Sequence, residues 1–124
     1  MTGRMTVGVS ALLLCSCGLM RPVERPQSEG VDLVLWMPGA SSVQVLGDWN
    51  EWGGLVAAGG VIDPLAGMMS RNPEGFWTLD ISHLEGGSYR YSFLVNGHGW
   101  LRDPVNPLTS EFQGRTVSLV MIPD

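Results

Sequence analysis

From Val31 to the end of the chain, apolar residues come in short runs broken by glycine, proline and asparagine, and within several runs they alternate with polar residues. Tyr89, Tyr91, Phe93 and Val95 fall on one side of an extended segment and Arg90, Ser92, Leu94 and Asn96 on the other, the period of two expected of a half-buried strand. Val117, Leu119 and Met121 repeat the pattern. The segments VDLVLWM, SVQVLG, GFWTLDI, YRYSFLV and TVSLVMI are predicted strands, separated by the turn signals PGAS, SHLEGG and NGHG. No window carries a helical stripe. Short strands at this spacing predict an all-β fold, an antiparallel β-sandwich whose two sheets bury their apolar faces against each other. Gly53 to Gly67, GGLVAAGGVIDPLAG, has two Gly-Gly pairs and reads either as a loop or as a short edge strand.

The first thirty residues break this pattern. Arg4 precedes an apolar run from Met5 to Leu14, too short to cross a bilayer and suited to the core of an export signal. Leu14-Cys15-Ser16-Cys17 follows, in the form of a bacterial lipobox: a leucine three residues before Cys17 and a small residue just before it. Residues 1–16 are thus expected to be a lipoprotein signal peptide and Cys17 the lipidated residue; the alternative is an ordinary cleaved signal with two incidental cysteines. Several acyl chains on one cysteine hold a soluble domain to a membrane where a single chain would not. Gly18 lacks the charge of an inner-membrane retention signal, which favours the outer membrane in a cell that has one. Residues 17–30, with prolines, polar side chains and no apolar period, form a tether. Residues 31–124 are the folded module, and it contains no cysteine and hence no disulfide framework.

Composition narrows the chemistry. A chain of 124 residues is one domain at most. Its net charge of -5 gives no basic stripe for nucleic acid. All seven basic residues are arginine, so no lysine is present to act as a Schiff-base amine. His83 and His98 stand apart without a cysteine or carboxylate cluster, and neither a metal site nor another cofactor is expected. Glycoside hydrolysis needs two carboxyl groups across a cleft. Asp48, Glu51 and Asp103 are the carboxylates that the motifs could bring toward one face, but Asp103, ahead of Pro104, reads as a turn former. No enzyme activity is expected.

The ordered motifs WMPGASSVQVLGDWNEW, GMMSRNPEGFWTLDISHLEGGSYRYSFLVNGHGWLRDPVNP and GRTVSLV resemble the glycogen-binding and isoamylase amino-terminal family of carbohydrate-binding modules. That family includes the module of the AMP-activated protein kinase beta subunit and the early-set domain of starch-branching and debranching enzymes. The resemblance spans about Val31 to Ile122 and implies an immunoglobulin-like early-set (E-set) antiparallel β-sandwich. It implies that Trp49 packs inward and that Trp52 is a platform on which a glucose ring stacks. Trp100, after one extra glycine in VNGHG, stands where the resemblance implies the second platform. Indole suits this task because the axial C–H groups of a pyranose meet its electron-rich face while the hydroxyls remain at the edge. Packing is the competing role at Trp52, and Trp36 and Trp77, inside strands, are expected to be structural.

The chain departs from the family at its polar partners. Ser92 stands where glycogen-binding members have a lysine, and Gln113, Arg115 and Val117 stand where a leucine, threonine and asparagine would reach the sugar. Gln113 and Arg115 can bond hydroxyls and Val117 cannot. The expected function is therefore a membrane-anchored, non-catalytic module that binds an α-glucan or related saccharide weakly through Trp52, Trp100, Gln113 and Arg115. The alternative is an envelope protein-protein interaction module in which the sugar face is degenerate and Trp52 fills a partner's pocket.

Overall fold

The computed structural model describes residues 30–54 and 60–124. The predicted signal peptide, Cys17 and nearly all of the tether lie outside the described residues. Eight strands follow in chain order: β1 Asp32–Trp36, β2 Val43–Gly47, β3 Ser70–Arg71, β4 Phe76–Asp80, β5 Gly87–Val95, β6 Gly99–Leu101, β7 Thr109–Phe112 and β8 Arg115–Ile122. They form two antiparallel sheets, one ordered β1-β4-β3 and the other β2-β5-β8-β7, with β6 also paired to β5. This is the expected all-β sandwich.

The main core lies between the sheets. Leu33 and Leu35 on β1, Trp77 on β4, Val43 and Val45 on β2, Tyr91 and Phe93 on β5 and Ile122 on β8 are all buried there. Each large apolar side chain so placed contributes about 1.5–3 kcal/mol. Trp49 packs against this core edge-on to Tyr89, with ring centroids 6.0 Å apart, so it supports the turn as expected.

Two expectations change here. Trp36 is not structural packing: it is 54% exposed. Leu33 and Leu35 take the inward face of β1, so the period of two turns Trp36 to the outer face, where its Nε1 donates to the Glu74 carbonyl at 3.0 Å. Trp77 does fill the core, its Nε1 donating to the Met37 carbonyl at 2.9 Å. On β8 the face that meets the main core is Ser118, Val120 and Ile122, whereas Met121 is exposed. Val117, on the opposite face, is fully buried in a second cluster with Leu46, Trp52 and Leu94. Both faces of the larger sheet carry apolar material, so alternation alone does not tell the inner face from the outer.

That second cluster exists because the chain after β2 folds over the outer face. Gln44 ties its return leg down, donating to the carbonyls of Asp63 at 3.0 Å and Ala66 at 2.8 Å. Val45 N donates to the Gly67 carbonyl. A Cβ on Gly67, whose φ is +63°, would lie 1.9 Å from the Val45 oxygen, so only glycine fits. The described part of this segment is a loop closed over the sheet, and Ile62 and Ala66 pack beneath it.

At the other end, a buried polar network fixes the connection from β6 to β7. The Tyr91 hydroxyl donates to Asp103 Oδ2 at 2.6 Å and accepts from Asn106 Nδ2 at 2.9 Å. Asp103 N donates to Ser118 Oγ, and Asp103 Oδ1 accepts from Val105 N, which closes the expected turn. Burial first, then the bond to Asp103, pushes the Tyr91 pKa well above its usual value, so the hydroxyl remains a donor.

Candidate functional site

The chain leaves β2 at Gly47, where a Cβ would meet the Arg90 carbonyl at 2.6 Å and the Trp49 ring at 2.8 Å. Asp48–Asn50 make one 3-10 turn. Asn50 folds back, accepting from Gly47 N at 3.0 Å and donating to the Val45 carbonyl at 2.9 Å. The chain then makes a left-handed turn, with φ of 55° at Glu51, 55° at Trp52, 70° at Gly53 and 83° at Gly54. Such a conformation costs about 1–2 kcal/mol at each non-glycine residue, and the packing of Trp52 offsets it.

Trp52 is 4% exposed. Its ring stacks on Phe112 with centroids 4.0 Å apart and planes 8° from parallel. Its Nε1 donates to Asp48 Oδ1 at 3.1 Å. Asp48 also accepts from Arg90 N at 2.8 Å, Nε at 3.1 Å and the far guanidinium nitrogen at 3.1 Å. Arg90 in turn donates to the Glu111 carbonyl and lies over the Phe112 ring at 5.3 Å. Burial works against ionisation of Asp48, but the bonds from Arg90 and Trp52 outweigh it and hold the carboxyl below its usual range. Asp48, Trp52, Phe112 and Arg90 thus close a ring of contacts joining β2, β5 and β7.

On this floor sits a pocket of about 300 Å³ lined by Trp52, Gly60, Ile62, Trp100, Phe112, Gln113 and Arg115, at the lower end of the range for small-molecule sites. Trp100 reaches it because β6 pairs with β5 in the register that sets Trp100 opposite Leu94, itself on the outer face. The extra glycine in NGHG is absorbed by the turn, where Asn96 and Gly97 have φ of 55° and 79°. Trp100 is half-buried, tilted 50° from Trp52 with centroids 6.5 Å apart. Gln113 and Gly114, both with positive φ, form the two-residue turn of the β7–β8 hairpin, which sets Phe112 opposite Arg115. The Arg115 guanidinium stands 5.5 Å from the centroid of the Trp100 ring.

All four residues singled out from the sequence therefore line one pocket, but with different parts in it. Trp52 is packing: with Phe112 on one side and 4% exposure, almost no indole surface is left for a sugar ring, or for a partner's pocket to receive. Trp100 carries the accessible indole. Ser92 and Val117 are 3% and 0% exposed, and Ser92 Oγ donates to the Leu101 carbonyl, so neither faces a ligand. Asp103 is held by Tyr91 in the buried network and does not line the pocket. Phe112 and Ile62 escaped the sequence reading. The Gln-Gly turn between two strands was the available signal for Phe112, since it fixes the pairing that brings Phe112 beside Arg115.

No protein-family model matches the chain. Curated relatives do. The chain is 30% identical over 95 residues to the 1,4-alpha-glucan branching enzyme GlgB of Nitrosomonas eutropha, covering 76% of this chain and 12% of the enzyme. It is 30% identical over 101 residues to that of Synechococcus elongatus, covering 80% and 12%. For the Pseudomonas fluorescens enzyme the values are 35% over 81 residues, 64% and 10%. The chain thus spans about an eighth of the length of the first two. The chain is an all-β early-set sandwich with an aromatic pocket, weakly homologous to a small part of glucan-branching enzymes.

Proposed function

We propose that this chain is a non-catalytic module that binds an α-glucan or related saccharide in the pocket between Trp100 and the β7–β8 hairpin. The observation that carries the reading is that Trp100, Gln113 and Arg115 meet at one concave site over an aromatic floor. A pyranose laid on Trp100 would present its hydroxyls to Gln113 and Arg115. With one accessible indole and two flexible polar partners, binding is weak, in the high micromolar to millimolar range, or about 4–6 kcal/mol. The similarity to 1,4-alpha-glucan branching enzymes supports an α-linked chain as the first ligand to test. We further propose that residues 1–16 export the chain and that Cys17 is lipidated, tethering the module to the far side of the plasma membrane, at the outer membrane in a cell that has one. The saccharide would then come from the environment or from the envelope.

Titration with maltoheptaose, followed by tryptophan fluorescence beside a cello-oligosaccharide control, tests the reading. Saturable binding of the α-glucan alone supports it, and no response up to several millimolar overturns it.

A second reading, contact with an envelope protein, has its own supporting surface, away from Trp52. Trp36 and Val105, 54% and 59% exposed, flank an apolar hollow of about 250 Å³ that Val34, Phe76 and Pro104 also line. Loss of a co-purifying envelope protein in Trp36→Ser, with saccharide binding absent in both forms, would select it.

A further inference from the structure

We infer that the saccharide bound here carries an anionic group, a phosphate ester or a ring carboxylate, seated against the Arg115 guanidinium. The inference rests on the reading of the pocket as a saccharide site and narrows its ligand.

The polar part of the lining is one-sided. Among the described residues Arg115 is the charged residue that lines the pocket and Gln113 the amide, and no carboxylate lines it. Hydroxyls of a neutral sugar both donate and accept, so a site built for them offers acceptors as well as donors. Here the acceptor side is thin, while Arg115 brings five N–H donors in a planar fork that matches carboxylate and phosphate oxygens. Among the described residues those donors have no hydrogen-bond or ion-pair partner, and the guanidinium lies against the Trp100 ring.

Among the described residues no nearby carboxylate pairs with it. Asp48 is engaged by Arg90 and Trp52, and the Glu111 carboxylate accepts from Thr116 Oγ1. Arg90, the neighbouring cation, is committed to Asp48 and the Glu111 carbonyl. Arg115 is thus a guanidinium without an ion-pair partner among the described residues, set in an aromatic pocket. At 5.5 Å from the Trp100 centroid, the guanidinium is close enough for one sugar ring to stack on the indole and direct an anionic substituent at Arg115.

The test compares maltoheptaose, a phosphorylated maltooligosaccharide and a maltooligosaccharide oxidised to the uronate, each titrated calorimetrically into the full chain in a detergent without a sugar headgroup. Wild type and Arg115→Gln are compared at low and raised salt, with circular dichroism to check that the variant is folded. The expected result is that at least one anionic ligand binds about tenfold more tightly than the neutral one at low salt, a difference of about 1.4 kcal/mol. That advantage shrinks as salt screens it and is absent in Arg115→Gln; the phosphate and carboxylate arms identify the group. Equal affinity for neutral and anionic ligands overturns the inference and leaves the saccharide reading standing. Binding of none of the three overturns both.

Discussion

Replacing Trp52 by alanine separates a buried floor from an exposed platform. The side chain is 4% exposed, and truncating a buried tryptophan to alanine costs about 3–5 kcal/mol through lost transfer energy and the cavity left behind. The stack on Phe112 at 4.0 Å places the loss toward the upper part of that range. Asp48 keeps its three bonds from Arg90, so the lost indole donor adds little. Alanine at φ 55° bears the same backbone strain as tryptophan, so the substitution brings no relief. We expect a net loss of about 4 kcal/mol, a large share of the 5–15 kcal/mol that holds a domain of this size together. Trp100→Ala, which removes a half-buried ring whose cation–π contact with Arg115 is worth about 0.5–1 kcal/mol, is expected to cost about 1–2 kcal/mol in all. Urea unfolding followed by circular dichroism measures both, with an unchanged slope confirming that stability alone has moved. A loss of 1 kcal/mol or less in Trp52→Ala would refute the burial argument and return Trp52 to the role of a sugar platform.

Three further substitutions test the surrounding frame. Asp48→Asn removes the charge that Arg90 and Trp52 hold; because the folded carboxyl sits below its usual range, its stabilisation is present above about pH 3.9 and is lost as pH falls through the lowered value. The wild-type unfolding free energy from urea titration should therefore drop in that acid window by about 1 kcal/mol more than that of Asp48→Asn, the pair being partly exposed. Tyr91→Phe strips a donor from buried Asp103 and an acceptor from Asn106 and should cost about 1–3 kcal/mol by thermal or urea unfolding. The raised Tyr91 pKa gives the opposite pH sign: its stabilisation is complete below about pH 10 and declines as pH rises toward the elevated value, a slope that Tyr91→Phe should lack. Glu51→Gly, at φ 55° on an exposed residue, should stabilise the domain by about 1 kcal/mol, and a measured loss would show that the left-handed turn is held by contacts of the Glu51 side chain.

The sandwich was legible because alternation in β5 and the glycine-proline punctuation specify strands locally. Its faces were less so. Trp36 and Trp77 lie in strands of similar composition, yet one is 54% and the other 6% exposed, a difference set by which neighbours each strand acquires from distant chain segments. On β8 the frame was misleading because the segment after β2 folds back over the outer face and buries Val117. The pocket residues follow from the resemblance to the carbohydrate-binding family, but the division of labour between Trp52 and Trp100 depends on Phe112, sixty residues beyond Trp52 in the chain. The Tyr91–Asp103–Asn106 network was equally out of reach, since Tyr91 reads as a strand aromatic and Asp103 as a turn former, with nothing in the sequence to join them to Asn106.

The most direct test of saccharide binding uses the indole N–H resonances of the five tryptophans as separate reporters during a maltoheptaose titration. The Trp100 signal, with a smaller response at neighbouring Trp52, should shift saturably while Trp36 and Trp77 stay in place. Movement of the Trp36 signal alone, or no movement of any signal up to several millimolar, would contradict the assignment of the pocket as a glucan site.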